Sequence, residues 1–383
     1  MDFELNDEQR QLYDSVVEFA RDVVEPGAGE RDREGRFDHE IWRRMGEAGI
    51  LGLPIAEEHG GQGAGCVTTA VALEALAYGG VDAGLGLSLG AHYVIAAMPI
   101  QLHGTDEQRA RYLPGLASGE IIGSFGVSEP GAGSDVSSIT TRAVREGDEW
   151  VLNGTKMWVT NAPVADFVTV VAVSHPDASP GQSMTAFIVP TDAPGVTVGA
   201  ELDKMGNRSS PTSEVVLDDV RVPDSQRLGE EGAAMWQVAF EGFDWERVVM
   251  LGSAIGGMQR GLEETLRYAT EREAFGKPIG RHQVIGHKLA DMRIRLETAR
   301  MYLRYAAWLK DEGRDHVVEA SIAKAYVAEC AQRNADEAIQ IHGGWGYVKE
   351  FAVERAWRDA KLTSIGGGTT EIQKMVISRS MLG

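Results

Sequence analysis

Apolar positions recur at helical spacing from the start of the chain. Leu12, Val16, Phe19 and Val23 share one face, Asn6 with Gln9 forms a capping-box pattern ahead of them, and Pro26-Gly27 stops the run. The same periodicity predicts helices over 39–50, 67–79 and 106–118, the last ended by Gly119. Residues 83–105 carry no Asp, Glu, Lys or Arg, so a membrane span has to be considered. Gly84, Gly86, Gly90, His92 and Pro99 interrupt that stretch, and a buried bundle helix is the better reading. After Gly119 the pattern changes to short apolar runs at 121–127, 150–152, 156–160, 167–173, 184–189 and 214–220, which read as strands. Asn153-Gly154 between two of them predicts a hairpin, and prolines crowd the region from Pro163 to Pro223 as in the loops of an all-β unit. Helical periodicity returns over 233–271, 283–313, 317–343, 351–365 and 370–381, long apolar-striped helices that make a bundle. The expected fold is a multidomain α+β chain: an N-terminal α-helical domain at 1–120, a middle antiparallel β domain at 121–231 and a C-terminal α-helical bundle at 232–383.

Composition changes this picture little. The chain has 383 residues, 43% hydrophobic and 25% charged, as in ordinary soluble globular proteins. Its net charge of −20 argues against a general nucleic-acid binder, which needs a basic face. Cys66 and Cys330 stand far apart with no Cys-x-x-Cys pair, which fits a reducing compartment and supplies no metal or redox motif. The first residues lack the basic-then-apolar layout of a secretory signal, and a cytoplasmic protein is expected. No Gly-x-Gly-x-x-Gly or Walker-type loop occurs, and strands do not alternate with helices. A nucleotide cofactor would need a different device.

Two segments suggest one. Phe125 is followed by Gly126-Val-Ser-Glu-Pro-Gly-Ala-Gly-Ser-Asp135, which concentrates turn formers, backbone donors and small hydroxyls. Lys156-Met-Trp-Val-Thr-Asn161 then places a large aromatic and a hydroxyl on the expected hairpin. Glycines let a backbone approach a flat or phosphorylated ligand, and Ser or Thr can bond its polar edge. Either segment alone reads as ordinary β-turns; together they read as a cofactor cradle.

With these two blocks, the chain resembles the acyl-CoA dehydrogenase family over essentially its full length. Further matching blocks are Arg272-Glu-Ala-Phe-Gly-Lys277, His282-Gln283, Gln340-Ile-His-Gly-Gly344 and Arg358-Asp-Ala-Lys361, followed by Gly368-Thr369. The resemblance implies a C-terminal four-helix bundle, with FAD between the β domain and the bundle and a site completed by a neighbouring subunit of a homotetramer. Carried over by motif, Phe125, Val127, Ser128, Ser134, Trp158 and Thr160 line the isoalloxazine side. Trp158 packs on the ring and Thr160 bonds near flavin N5. Arg272, Phe275, His282, Gln283 and the segment Gln340, Ile341, His342, Gly343 and Gly344 hold the pyrophosphate and adenosine, partly across a dimer interface. Thr369 and Glu371 complete the cofactor contacts.

The reaction so implied needs a carboxylate beside the α carbon of an acyl thioester, which removes a proton while a hydride leaves the β carbon for the flavin. Burial helps by raising the carboxylate's pKa. Many members carry this Glu just before the Gly-Thr near the C-terminus; here the segment reads Ser364-Ile-Gly-Gly-Gly-Thr369, and Gly367 stands at the expected position. The alternative is Glu246, three residues after Phe243, four before Met250 and seven after Ala239 on an apolar stripe. Alone, such a Glu reads as a boundary residue reaching water. Asp-x-Glu-Arg here, Gly366-Gly367 and Gly90-Ala-His92 resemble the isovaleryl-CoA and long-chain branches, which place the base at this helix position, so Glu246 is assigned as the base. By the same resemblance Phe243, Asp244 and Arg247 contact substrate or its CoA portion, Ser134 also meets the CoA arm, and Gly367-Gly368 flank the thioester, the Gly367 N–H helping to polarise its carbonyl.

The expectation is an FAD-dependent dehydrogenase making a trans-2-enoyl thioester and passing electrons to an electron-transfer flavoprotein, without metal, nucleic acid or membrane. Gly366 and Gly367 open space that suits a short or branched acyl group. Two alternatives keep the fold: a flavin oxidase or monooxygenase, and a dehydrogenase of acyl-carrier-protein thioesters. A non-catalytic DNA-binding or scaffold protein is disfavoured by the acidic balance.

Overall fold

The computed structural model describes residues 4–383, apart from the side chains of Pro180, Phe240, Glu241, Phe243 and Asp244. Helices α1 (Asp7–Phe19), α2 (Ala28–Glu34), α3 (His39–Glu47), α4 (Cys66–Gly80), α5 (Ala83–Gly90), α6 (Met98–His103) and α7 (Asp106–Ser118) come first. The sequence signals that start and stop them are realised in hydrogen bonds. Asn6 and Gln9 form a reciprocal capping box at α1, Thr105 and Gln108 form another at α7, and Gly119 ends α7 with φ +82°. The stretch Ala83–His103, joined through a π-helical turn at Ala91–Ala97, is long and apolar enough to cross a membrane, yet 83% of its apolar window is buried inside the protein.

Strands β1 (Gly123–Gly126), β2 (Arg142–Glu146), β3 (Glu149–Thr160), β4 (Phe167–Val173), β5 (Met184–Pro190), β6 (Val196–Val198), β7 (Thr212–Pro223) and β8 (Arg227–Leu228) make one sheet in the order β6-β7-β3-β2-β4-β5-β8, with β1 pairing parallel to β4. The central strands are covered on both faces. Phe167 and Val171 of β4 and Met184, Ala186 and Ile188 of β5 pack towards α6 and α7, whereas Val168, Val170, Phe187 and Val189 join a second core with Trp150 and Leu152.

The hairpin expected at Asn153-Gly154 does not exist. Those residues lie inside one continuous strand, β3, and the turn to β2 is at Gly147-Asp148 instead. Asn153 spends its side chain across the sheet, exchanging bonds of 2.9 Å with Asp219, and Gly154 is needed because a Cβ there would stand 2.4 Å from the Thr141 hydroxyl. The register with β7 slips at Leu152/Gly154 and again at Lys156/Val159. The Asn-Gly pair therefore marks a bulge with a close approach, not a turn.

The C-terminal helices are α8 (Glu241–Val249), α9 (Leu251–Glu271), α10 (Gln283–Asp311), α11 (Val317–His342), α12 (Ala352–Ala360) and α13 (Thr370–Leu382). A small two-stranded hairpin, β9 (Glu273–Ala274) and β10 (Lys277–Pro278), joins α9 to α10. One apolar core runs through α1, α4, α9, α10 and α11, so helices from the N-terminal and C-terminal regions of the chain pack as a unit. Glycines allow this contact: a Cβ on Gly252 or Gly256 of α9 would collide with the α4 backbone at 2.2 or 2.1 Å.

Candidate active site

The first glycine-rich block is held by one buried ion pair. Lys156 of β3, fully buried, donates to Glu129 Oε1 at 2.8 Å and to the Val127 carbonyl at 3.1 Å. Glu129 also accepts from the N–H groups of Thr140 and Thr141, and Met157 N–H donates to the Ser128 carbonyl at 2.8 Å. Burial pushes the Glu129 carboxyl up, but the bonds from Lys156 and Thr141 outweigh it and bring the pKa to about 2; burial pulls Lys156 down to about 8 against the attraction of Glu129. The pair clamps the loop after β1 to β3, and the two sequence blocks meet.

What the clamp presents is an open concave face. Gly131 and Gly133 are exposed, with nothing within 4 Å of where a Cβ would be, and Ser134 is exposed beside them. Trp158 sits at φ +61° in the second bulge of β3 and turns out to solvent, 62% exposed. A tryptophan held in the left-handed region costs on the order of 1 kcal/mol and persists only where the surroundings impose it. Phe125 and Val127 are buried beneath this face and Thr160 is partly covered; its carbonyl accepts from the Ser124 hydroxyl at 2.6 Å. A planar ring fits such a surface, with the indole on it and glycine backbone at its edge.

Across from the sheet, in the bundle, Glu246 of α8 lines an apolar cavity of about 220 Å³. Its carboxylate rests against the loop between α12 and α13. A Cβ on Gly367 would stand 3.0 Å from Cδ and Oε1 of Glu246 and 3.4 Å from Oε2, so the carboxylate fills the place where a side chain at 367 would begin. Gly367 and Gly368 have φ +64° and +85°. Burial raises the Glu246 pKa above the ordinary carboxylate value, opposed by the charges of Lys324 and Arg247. Arg247 is buried next to it. Phe243 and Asp244, expected here, have side chains outside the described residues.

Two residues of this site escaped the sequence reading. Lys324 of α11 lines the same cavity, donates to the Thr363 carbonyl of the loop before Gly367, and is pulled down to about 8 by burial, against Glu246. Its signal was available: a lone lysine between the buried Ala320, Ala323, Val327 and Ala328 is a charge on an apolar face. Gln373, fully buried in α13, donates to the carbonyls of Gly367 and Gly368 at 3.3 and 3.0 Å. Nothing in the local sequence marks it. Thr369 caps α13 by accepting from Ile372 N–H, and Glu371 is exposed in its first turn.

The remaining predicted residues are elsewhere. Arg272 ends α9, about 39 Å along the helical path from Glu246 at about 1.5 Å per residue. Phe275, 96% exposed at φ +54°, meets His282 edge to face at 5.9 Å on the β9–β10 hairpin, and Gln283 opens α10, exposed. Gln340, Gly343 and Gly344 are exposed, whereas Ile341 and His342 are buried; His342 stacks on Tyr268 at 4.2 Å. The Tyr268 hydroxyl donates to the His342 carbonyl at 3.2 Å, tying this segment to the same end of α9 as Arg272. Within one chain, then, the predicted site falls into two groups at opposite ends of the bundle.

The apolar cavity is lined by two carboxylates that burial raises, Glu246 and Asp359, the latter pushed up to about 7 and accepting from the Asn207 N–H at 2.6 Å. With the glycine-rich cradle, this makes a candidate site for proton transfer to or from a bound ligand. Comparison with known proteins agrees. The acyl-CoA dehydrogenase N-terminal, middle and C-terminal domains match residues 6–120, 124–220 and 236–382. The probable acyl-CoA dehydrogenase YngJ of Bacillus subtilis (strain 168) is 44% identical over 382 residues, covering 100% of both chains. The mitochondrial isovaleryl-CoA dehydrogenase of Pongo abelii is 39% identical over 98% of this chain and 89% of its own. A solved FAD complex of PigA superposes with a TM-score of 0.96 at 34% identity, over 100% of this chain and 99% of the other. The chain belongs to the acyl-CoA dehydrogenase family. It is an FAD-dependent oxidoreductase.

Proposed function

We propose that Glu246 is the base that removes the α proton of an acyl-CoA thioester. The observation that carries this reading is the contact of its carboxylate with Gly367, where the loop has no side chain and leaves room for it. Asp359, the other raised carboxylate of the cavity wall, is held instead by the Asn207 N–H. Bound FAD supplies the acceptor for the hydride from the β carbon. The chain's own residues do the rest. The Glu129–Lys156 pair fixes the cradle, and Trp158 and Thr160 are the residues that would hold the flavin ring there. Gln373 and Lys324 hold the 363–368 loop, from which the Gly367 N–H meets the thioester carbonyl as negative charge develops there. Burial keeps Glu246 a stronger base than a solvated carboxylate, and the cavity walls keep water from the reacting carbons.

The separation of Arg272 and the 340–344 segment from Glu246 supports a second part of the reading. These residues serve the cofactor of a neighbouring subunit in a homotetramer, and the exposed Phe275, Trp345 and Tyr347 supply apolar surface for that contact. The buried free thiols Cys66 and Cys330 favour a cytoplasmic setting, and an electron-transfer flavoprotein is the acceptor proposed. Ser134, Arg247 and Gly368 contact the substrate in this reading.

The test is anaerobic mixing of the yellow protein with acyl-CoA thioesters. Wild type should bleach and Glu246→Gln should not; a variant that bleaches at the wild-type rate overturns the base assignment. Rapid reoxidation of the bleached protein by air would make it an oxidase instead, and turnover with carrier-protein thioesters alone would move the substrate class.

A further inference from the structure

The cavity that begins at Glu246 does not stop at the size of a small acyl group. On the α11 side its wall runs from Lys324 to Ala338, about 21 Å of helix at about 1.5 Å per residue. On the α9 side it runs on to Glu264, and α12 closes it from Thr363 back to Ala352. These walls run along a common direction. Lys324 faces Glu246 at one end, and His342 and Tyr268 are stacked just beyond the other. Between the ends most of the lining is apolar and much of it small, with Ala254 and Gly257 on α9, Ala331 and Ala335 on α11 and Ala356 on α12, and the polar Asn334, Arg355 and Asp359 share the wall.

We propose that this cavity is a tunnel for the tail of a long, unbranched, saturated acyl chain of about twelve carbons or more, entered at Glu246 and ending at the Arg260–Glu264 pair. The proposal rests on the reading of Glu246 as the base that marks the reacting carbons. An extended hydrocarbon advances about 1.3 Å per carbon, from bonds of about 1.5 Å, so the tunnel length suits a chain of that size. A short acyl group would leave most of an apolar cavity empty, and each methylene that fills it should tighten binding roughly threefold to fourfold. The far end does not ask for a polar terminus. Arg260 gives its Nε to Glu264 at 2.6 Å and its Nη2 to Glu25 at 2.5 Å, so the charge at this end is matched by carboxylates of the protein itself. Arg355, further back on the wall, gives its Nη2 to the Val81 carbonyl at 3.1 Å. The space opened by Gly366 and Gly367 governs the carbons next to the thioester; the tunnel governs those beyond.

Two glycines make the proposal testable. A Cβ on Gly257 or on Gly261 meets nothing within 4 Å, so a larger side chain at either grows into the tunnel without striking a neighbour. Leucine is also the better helix former, which protects α9. The holoenzyme, Gly257→Leu and Gly261→Leu are assayed with saturated acyl-CoAs from four to sixteen carbons and with isovaleryl-CoA. The wild type should show kcat/KM rising to twelve carbons or more. Gly257→Leu should lower the dodecanoyl-to-butyryl ratio at least tenfold, and Gly261→Leu, about 6 Å further along the helix at about 1.5 Å per residue, should cut off only longer chains. A wild-type maximum at butyryl or isovaleryl, or variants that lower all lengths in parallel, would overturn the tunnel. If no thioester bleaches the wild type, the base assignment fails instead, and calorimetric binding of the same series still decides the tunnel: affinity must rise with chain length and be truncated by the two leucines in the same order.

Discussion

The carboxylate of Glu246 stands where a side chain at Gly367 would begin: a Cβ at 367 would lie 3.0 Å from Oε1 of Glu246. A single pocket cannot hold two carboxylates there without forcing one to be neutral. A base delivered from helix α8 thus requires a bare backbone in the facing loop, and the left-handed φ of +64° at Gly367 adds a second reason for glycine.

Gly367→Ala tests this relationship. The methyl both strains the backbone, by about 1–2 kcal/mol for an L-residue in the left-handed region, and pushes on the Glu246 carboxylate. Flavin bleaching by an acyl-CoA should slow at least tenfold while FAD content is kept. Stopped-flow rates within twofold of wild type would show that the two groups do not compete.

The pH dependence of bleaching should report Glu246. Only the carboxylate accepts a proton, and burial raises its pKa, so the rate should climb as pH rises through that raised value. Lys324 and Arg247 oppose the shift. Lys324→Met removes one opposing charge and should move the rising limb to higher pH, whereas Lys324→Arg should restore much of it. An unmoved limb in Lys324→Met, with bleaching merely slower, would leave Lys324 as a loop anchor through Thr363 alone.

Stability should follow the same group with a definite sign. A carboxyl whose folded pKa lies above its unfolded value binds more protons in the native state, so its contribution is present below the unfolded pKa and is lost as pH rises through the folded one. Glu246→Gln removes that loss. Its Tm should exceed that of wild type at pH 8 and converge with it near pH 4; an equal offset at both would refute the burial argument.

The sequence made the α, β, α order readable because period and punctuation agree: the capping box at Asn6 and the stop at Gly119 both form as read, and Thr105 adds a second capping box not read from the pattern. It misplaced the hairpin because Asn-Gly also suits a bulge, and only the packing of Thr141 against Gly154 decides between the two. Glu246 was legible as a charge on an apolar stripe with its rival position occupied by glycine. Lys324 carried the same kind of signal. Gln373 did not: its bonds to Gly367 and Gly368 depend on how α13 folds back beneath its own loop. That Arg272 and Phe275 lie far from Glu246 in the chain's own fold is likewise a property of helix length, visible only once α8 and α9 are laid end to end.

Trp158 separates binding from folding. Its φ of +61° is unfavourable for tryptophan and easy for glycine, so Trp158→Gly should leave the apoprotein as stable as wild type, or more so. Loss of the exposed ring should weaken FAD binding by about 1–2 kcal/mol, roughly tenfold or somewhat more. Fluorescence titration of apoprotein with FAD measures it. Unchanged affinity would remove Trp158 from the cofactor site.

The Glu129–Lys156 pair makes the sharpest case for a structural role beneath a functional surface. Both side chains are buried, with 4% and 0% exposure, so breaking the pair should cost about 3–5 kcal/mol, mostly because one charge is left uncompensated. The two single variants differ in their pH response. In Glu129→Gln the lysine, already down at about 8 through burial, loses the attraction that sustains its charge. Its folded pKa then falls further below the unfolded value, the native state binds fewer protons, and stability should rise with pH across the neutral range. In Lys156→Met the carboxylate keeps its bonds from Thr140 and Thr141, so the loss should be smaller. In wild type Glu129, at about 2, contributes stability that is present above the ordinary carboxyl value and is lost as pH falls towards 2. The double variant Glu129→Gln/Lys156→Met, with no buried charge, should recover part of the stability lost by Glu129→Gln but not its FAD affinity, because the loop after β1 is no longer clamped to β3. Urea melts across pH 6–9 together with FAD retention decide this: additive single and double effects, or full FAD retention in the double variant, would separate the pair from the cradle it supports.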